Sequence, residues 1–210
     1  MLKEQSNYNG IPAMNSSCVH DFLKKIGHSW QGLGTVVEVG AWLGGSAMPL
    51  LEGLKAVGYN DFYWAFDRWK ADVAEAKKAE KQGVLITEGE NLMPRFFQNL
   101  SGIHSKFSTA RGEIEEKIGC YEGGPIEICL LDAPKTDPLF THVLLTLARF
   151  FIPQVTVIGM MDYYFYREKQ NPDPYKAAEN FVKCHPSCFL QTAEFGEESS
   201  AVFFKYLGGL

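Results

Sequence analysis

Three stretches carry residue types and spacings that could do chemistry. The first is Gly40-Ala41-Trp42-Leu43-Gly44-Gly45-Ser46, which follows a short β-branched run. Its glycines allow a tight turn and a close approach of backbone to a ligand. Ser46 opens the next segment, where its hydroxyl can cap a helix or bind an anionic group. The second is Asp67-Arg68-Trp69, with Asp67 standing 22 residues beyond Gly45. An acid at about this distance is placed to accept hydrogen bonds from ribose hydroxyls, and a carboxylate is acceptor-only. Trp69 could cover a flat base, and the competing role for Asp67 is an N-cap for the helix that follows. The third is a pair, Asp132 and Asp162, 30 residues apart. Facing one pocket, two such acids could act as a general base, a metal clamp or both. The alternative is that one caps a helix and the other is exposed.

These residues matter because of where the elements put them. Strand-like runs at Gly34–Val39, Asp61–Phe66, Ser105–Ser108, Ile126–Leu131 and Val155–Gly159 alternate with helix-period segments. The helices are expected over Ser46–Val57, Ala71–Gln82, Glu90–Leu100, Glu113–Ile118, Pro138–Phe151 and Pro174–Val182. Cys188–Phe195 and Ala201–Tyr206, joined by the polar turn 196–199, make a closing hairpin. Continuous apolar strands alternating with helices predict a parallel sheet covered on both faces, and the hairpin adds an antiparallel strand at its edge. The fold class is α/β: a Rossmann-like doubly wound sheet of about seven strands with an antiparallel C-terminal strand. In such sheets ligands bind outside the carboxyl ends of the strands. Each of the three stretches sits at a strand end, as does the Ala110-Arg111-Gly112-Glu113 loop.

The chain of 210 residues is predicted to be one domain, with residues 1–30 as a helical cap or lid and 34–207 as the core. A net charge of −5 builds no basic field, so neither nucleic acid nor an anionic membrane is an expected partner. Met1–Gly10 has no apolar core of the kind a signal peptide needs, and Phe150–Met161 is too short and too polar for a membrane span. The five cysteines are irregularly spaced and odd in number, which fits reduced thiols and a cytoplasmic protein rather than a disulfide framework. Cys184-His185-Pro186-Ser187-Cys188 lacks a second half for a zinc site and is expected to be a structural loop. Exposed aromatic residues favour a homodimer.

The ordered set of motifs resembles a known family. Glu38-Val39-Gly40-Ala41-Trp42-Leu43-Gly44-Gly45-Ser46 is similar to the first motif, E-x-G-x-x-x-G-x-S, of class I S-adenosylmethionine-dependent methyltransferases. The macrocin O-methyltransferase-like branch, which acts on sugars and small molecules, is the nearest. The likeness runs from about Asn15 to Tyr206 and takes in Phe96-Phe97-Gln98-Asn99-Leu100, Leu131-Asp132 and Asp162-Tyr163. It implies that Glu38, Gly40, Ala41, Trp42, Gly44 and Ser46 shape the methionine side of an S-adenosylmethionine site. It implies that Asp67 and Arg68 lie at the ribose, that Gly112 in the 111–113 loop lies near adenine, and that Asp132 borders the cofactor as well as serving as base. The implied reaction is transfer of a methyl group to a hydroxyl of a small molecule or sugar, with Asp132 as base and Asp162 assisting.

Two departures bear on that expectation. The branch commonly carries an Asp-Gly-Asp-His-like stretch and an Asp-Asp pair where this chain has Asp132-Ala133-Pro134-Lys135 and Met161-Asp162. Pro134 and Met161 cannot offer magnesium a hard oxygen, and Lys135 opposes a cation. No metal ligand is therefore assigned, and a role for magnesium is in doubt. Lys135 and His142 are candidates for acceptor contacts, although His142 also reads simply as part of its helix. The missing acids also support an alternative function, a catalytically inactive cofactor- or ligand-binding protein of the same fold. A nicotinamide-dependent oxidoreductase is disfavoured by Trp42, which would crowd a pyrophosphate.

Overall fold

In the computed structural model, residues 7–196 and 199–210 are described. The expectations for Met1–Ser6 and for Glu197 and Glu198 in the hairpin turn lie outside them. The strands are β1 (Thr35–Val39), β2 (Tyr63–Asp67), β3 (Phe107–Arg111), β4 (Ile126–Leu131), β5 (Val157–Met160), β6 (Phe189–Glu194) and β7 (Val202–Tyr206). They form one sheet in the order β3-β2-β1-β4-β5-β7-β6. The four central pairings from β3 to β5 are parallel, and β7 runs antiparallel to both β5 and β6. The order reverses between β1 and β4, which is where a ligand crevice opens in an open α/β sheet.

Every residue of β1 and of β4 is buried, as their unbroken apolar runs require of strands covered on both faces. Side chains alternate across the sheet. Val36, Ile128 and Leu130 join one core cluster, and Val37, Val39, Cys129 and Leu131 join the other. The first cluster is covered by α1 (Ser17–His28), α2 (Ala47–Ala56) and α4 (Met93–Leu100). The second is covered by α6 (Leu139–Ala148) and α7 (Ala177–Cys184). Two further helices, α3 (Val73–Glu80) and α5 (Ile114–Lys117), follow β2 and β3. Helix α1, the first part of the described chain to be regular, lies directly on α2. Gly27 and Gly53 face one another there, and a Cβ on either would overlap the Leu50 or Lys24 carbonyl oxygen of the opposite helix.

Helix ends shift by a few residues from the sequence expectation, each for a local reason. Helix α3 begins at Val73, not Ala71, because Asp72 caps it in a reciprocal box with Glu75. Helix α7 begins at Ala177, after a separate 3-10 turn over Asp173–Tyr175 has used the prolines that suggested an earlier start. Strand β3 is longer than its polar sequence suggested, reaching Arg111 because Ala65, Phe66 and Asp67 of β2 offer a ladder to Thr109, Ala110 and Arg111.

At the other end of the sheet from the glycine turn, Glu127 closes the entry to β1 by accepting the amides of Gln31, Leu33 and Gly34 at 2.5, 2.7 and 3.1 Å. Among the described residues no helix is long and apolar enough to cross a membrane.

Candidate active site

The strand register places the chemistry-bearing residues in one row. Val39 stands opposite Phe66 and Leu131, and Leu131 stands opposite Met160. The residues just beyond are Gly40, Asp67, Asp132 and the Met161-Asp162 pair. Backbone hydrogen bonds lace this rim together. Gly40 donates to the Phe66 carbonyl, the amides of Asp132 and Ala133 both donate to the Val39 carbonyl, and Met161 donates to that of Leu131, all at 2.8–3.0 Å. The rim is thus fixed by the same ladder that builds the sheet.

Gly40 has φ +98°, a conformation that disfavours any side chain, and a Cβ there would sit 2.7 Å from the Ala133 nitrogen. Glycine is required both by the turn and by the close approach of β1 to β4. Trp42 also adopts a positive φ, +43°, and is held in it from outside. Its amide donates to Asp67 Oδ2 at 2.8 Å, and Asp67 Oδ1 accepts the Trp69 amide at 2.6 Å. The Asp67 carboxylate therefore clamps the turn. A carboxylate has about four acceptor sites, and with the Ala41 amide also acting on this one, about one remains for a hydroxyl donor. Burial raises the pKa of Asp67, and the Trp42 and Trp69 amides and the Arg68 guanidinium draw it back down. Arg68 itself turns to Asp72 and Glu75, at 2.7 and 3.1 Å.

Several sequence expectations are corrected by these contacts. Asp67 caps no helix; Asp72 does. Trp69 cannot cover a base, because it is wholly buried, packs on Phe96 and donates its indole N–H to the Trp42 carbonyl at 2.9 Å. Ser46 does not cap α2; its hydroxyl accepts from Asn15 Nδ2 at 2.8 Å. Ala41, Trp42, Gly44 and Ser46 are buried, so the turn presents backbone rather than side chains to the crevice. Glu38 lies inside the sheet, 1% exposed, and its Oε2 accepts the Tyr63 hydroxyl at 2.9 Å. Burial pushes its pKa well above the usual carboxylate range, with Asp132 and Asp67 adding to the effect and Tyr63 opposing it. Gly112 has φ +142° and donates its amide to the Asp67 carbonyl, which brings the β3 end beside the clamp. His142 lies on α6 beside the Glu115 carbonyl, at 3.2 Å, which accounts for it as part of its helix.

Asp132 and Asp162 do come together. They are within hydrogen-bonding reach, and Asp132 is raised above the ordinary carboxylate value by burial first and by Asp162 second. Beside Asp162 stands a partner whose contact the sequence did not specify. Lys135 Nζ lies 2.6 Å from Asp162 Oδ2 and 4.6 Å from the centre of the Phe165 ring. Burial lowers the lysine's pKa, but Asp162 and Asp132 outweigh it and hold the ammonium charged. Two other supports also lacked a specific signal. Asn15 fixes Ser46, and Asn99 Nδ2 donates to the Leu43 carbonyl at 2.9 Å. Both depend on contacts between elements far apart in the chain.

The donor set does not fit a divalent metal. Magnesium takes hard oxygens in a near-octahedral shell. Here Pro134 and Met161 offer none, an ammonium already contacts Asp162, and no group of three or more metal-ligating side chains exists among the described residues. The Cys184–Cys188 loop holds no such group either; Cys184 is exposed, Cys188 is buried, and His185 stacks on Phe181. A nucleoside fits the rim better, because Asp67 keeps acceptor capacity, is only partly buried, and sits beside both the glycine turn and the β3 end.

No protein-family model matches the sequence, and no curated protein matches it significantly. Solved structures do match. A Klebsiella pneumoniae protein assigned as an O-methyltransferase aligns with a TM-score of 0.62 at 18% identity, over 95% of this chain and 84% of that one. The two share one fold. The SAH-bound Podospora anserina methyltransferase PaMTH1 aligns with a TM-score of 0.62 at 12% identity, over 93% and 80% of the two chains. CalS11, the TDP-rhamnose 3'-O-methyltransferase of calicheamicin biosynthesis, aligns with a TM-score of 0.53 at 13% identity, over 90% and 77%. At such identities the likeness is one of fold, and function must be argued from the site.

Proposed function

We propose that this chain is an S-adenosylmethionine-dependent methyltransferase that methylates a hydroxyl of a small molecule or sugar. The observation that carries the proposal is the row at the strand ends. A clamped glycine turn and the Asp67 carboxylate stand on one side of the crevice, and the Asp132–Asp162 pair stands on the other. The turn supplies close backbone for the methionine portion, and Asp67 supplies an acceptor for a ribose hydroxyl. Methyl transfer from a sulfonium is an in-line displacement, in which positioning two reactants can lower the barrier by about 7–11 kcal/mol. The hydroxyl must also lose its proton. Asp132 is the group to take it, because its raised pKa makes it a stronger base than an ordinary carboxylate. Several matched structures carry O-methyltransferase names, one of them for a sugar hydroxyl, which supports an oxygen acceptor.

Thermal unfolding with S-adenosylmethionine, S-adenosylhomocysteine and NAD tests the cofactor. Ligand at a hundred times its dissociation constant stabilises by about 2.7 kcal/mol. For a chain of this size that is a Tm shift on the order of 5–10 °C. The expected result is a shift with the two adenosyl-sulfur compounds and none with NAD. A shift with NAD alone, or with nothing, removes the proposal. Transfer of label from methyl-labelled cofactor to sugar and phenol acceptors then tests the reaction.

A further inference from the structure

The acid-rich corner of the crevice needs a countercharge, and the structure supplies one from within. Asp132 follows β4 directly and Asp162 stands two residues beyond β5, the parallel neighbour of β4, so both acids lie at one rim and Asp162 acts on Asp132. Two carboxylates this close repel one another unless a proton or a cation lies between them. Lys135 reaches the pair from the loop that follows β4, only three residues after Asp132. Its ammonium touches Asp162 at 2.6 Å, the Phe165 ring flanks it at 4.6 Å, and its side chain is 30% exposed. It is both anchored and reachable. The positions around it that would need to offer oxygen to a divalent ion are filled by Pro134 and Met161.

We propose that the Lys135 ammonium, ion-paired with Asp162 beside Asp132, is the resident cation of this site and takes the part a divalent metal would otherwise have to play. Lys135 is a positioning residue in this role. It holds Asp162 in place by an ion pair, offsets the negative charge of the two acids, and leaves Asp132 free to act as the base. The crevice then works without a metal. The assignment deepens the methyltransferase proposal and rests on it only for its consequence in turnover; the occupancy of the cation position is a property of the folded chain alone.

The test titrates the full chain with Mn²⁺ alone and follows the loss of the free-ion paramagnetic resonance signal. The wild-type protein and Lys135→Arg should bind no Mn²⁺ at this site. Lys135→Ala removes the ammonium and should gain one Mn²⁺ site per chain, lost again when Asp132→Asn is added. Circular dichroism of each variant establishes that it is folded, and Lys135→Arg keeps the charge if the alanine variant is not. Wild-type Mn²⁺ binding that Asp132→Asn abolishes would overturn the proposal, and so would a folded Lys135→Ala that gains no site. In a turnover assay the wild-type rate should be unchanged by a chelator, and loss of activity on chelation would equally overturn it. The metal titration needs no cofactor. A chain that fails to bind S-adenosylmethionine would sink the functional proposal and leave this one to be judged on Mn²⁺ binding.

Discussion

The two sides of the crevice are built from different materials. On the β1–β2 side the working surface is backbone: the turn at Gly40–Ser46 buries its side chains, and one carboxylate, Asp67, ties its Trp42 amide to the Trp69 amide beyond β2. On the β4–β5 side the working surface is side chain: Asp132, Asp162 and Lys135, with Asp162 acting on the charge of the other two. A backbone site is rigid and indifferent to pH once its clamp is in place. A side-chain triad can be retuned by one substitution and answers to pH. The difference fits the proposed reaction, in which one half would take the cofactor and the other half the proton.

The contrast can be broken most sharply at Asp132. Asp132→Ala should lower turnover by about 10²–10⁴-fold, the usual worth of a positioned base, while S-adenosylmethionine affinity measured by calorimetry stays within a few-fold. Comparable losses in both would erase the division of labour. The reciprocal change is Asp67→Ala. Charge-assisted hydrogen bonds are worth about 1.5–3 kcal/mol, so cofactor affinity should fall by about tenfold or more, mainly in KM for the cofactor rather than in kcat. Gly40→Ala tests the backbone half without touching charge. Strain at a positive φ costs about 1–3 kcal/mol, and Tm should drop by roughly 2–4 °C for each.

A smaller effect separates the halves by pH. Asp132 binds its proton more tightly folded than unfolded, so its contribution to stability is complete below the ordinary carboxylate range and is lost as pH rises through the raised value. Urea midpoints of the wild type should therefore decline over that interval more than those of Asp132→Asn. Equal slopes would mean that the acid is not perturbed by its neighbours. The smallest effect is expected at Glu38, which burial keeps in its protonated form well above the usual range. Glu38→Gln should change stability by less than about 1 kcal/mol, whereas Glu38→Leu leaves the Tyr63 hydroxyl unpaired and should cost about 1–3 kcal/mol by denaturant titration.

The same division explains how much could be learned from sequence. Strand ends, the glycine turn and the spaced Asp67 are local patterns, and periodicity placed them within a few residues. The sheet's parallel centre and antiparallel edge followed from continuous apolar strands and a closing hairpin. What stayed hidden was long-range and lateral. Asp67 could be seen as a ligand group or a helix cap, but its grip on Trp42 depends on β1 and β2 lying side by side. Trp69 looked like an exposed platform because nothing local shows that Phe96 covers it. Lys135 was legible as a charge that opposes metal, yet its contact with Asp162 joins the ends of two strands through a loop of no regular period.

The glycine-to-glycine seam between α1 and α2 bears on how this chain can be cut. Because two backbones meet there with no side chain between them, α1 covers α2 as a lining rather than as a detachable arm. Removing residues 1–30 would uncover Leu50, Leu51 and Leu54, all buried in the intact chain. A trimmed version designed to begin at β1 should therefore express as aggregate, and an expression boundary belongs ahead of Tyr8, because Tyr8, Ala13 and Asn15 also hold Glu52, Gln82 and Ser46.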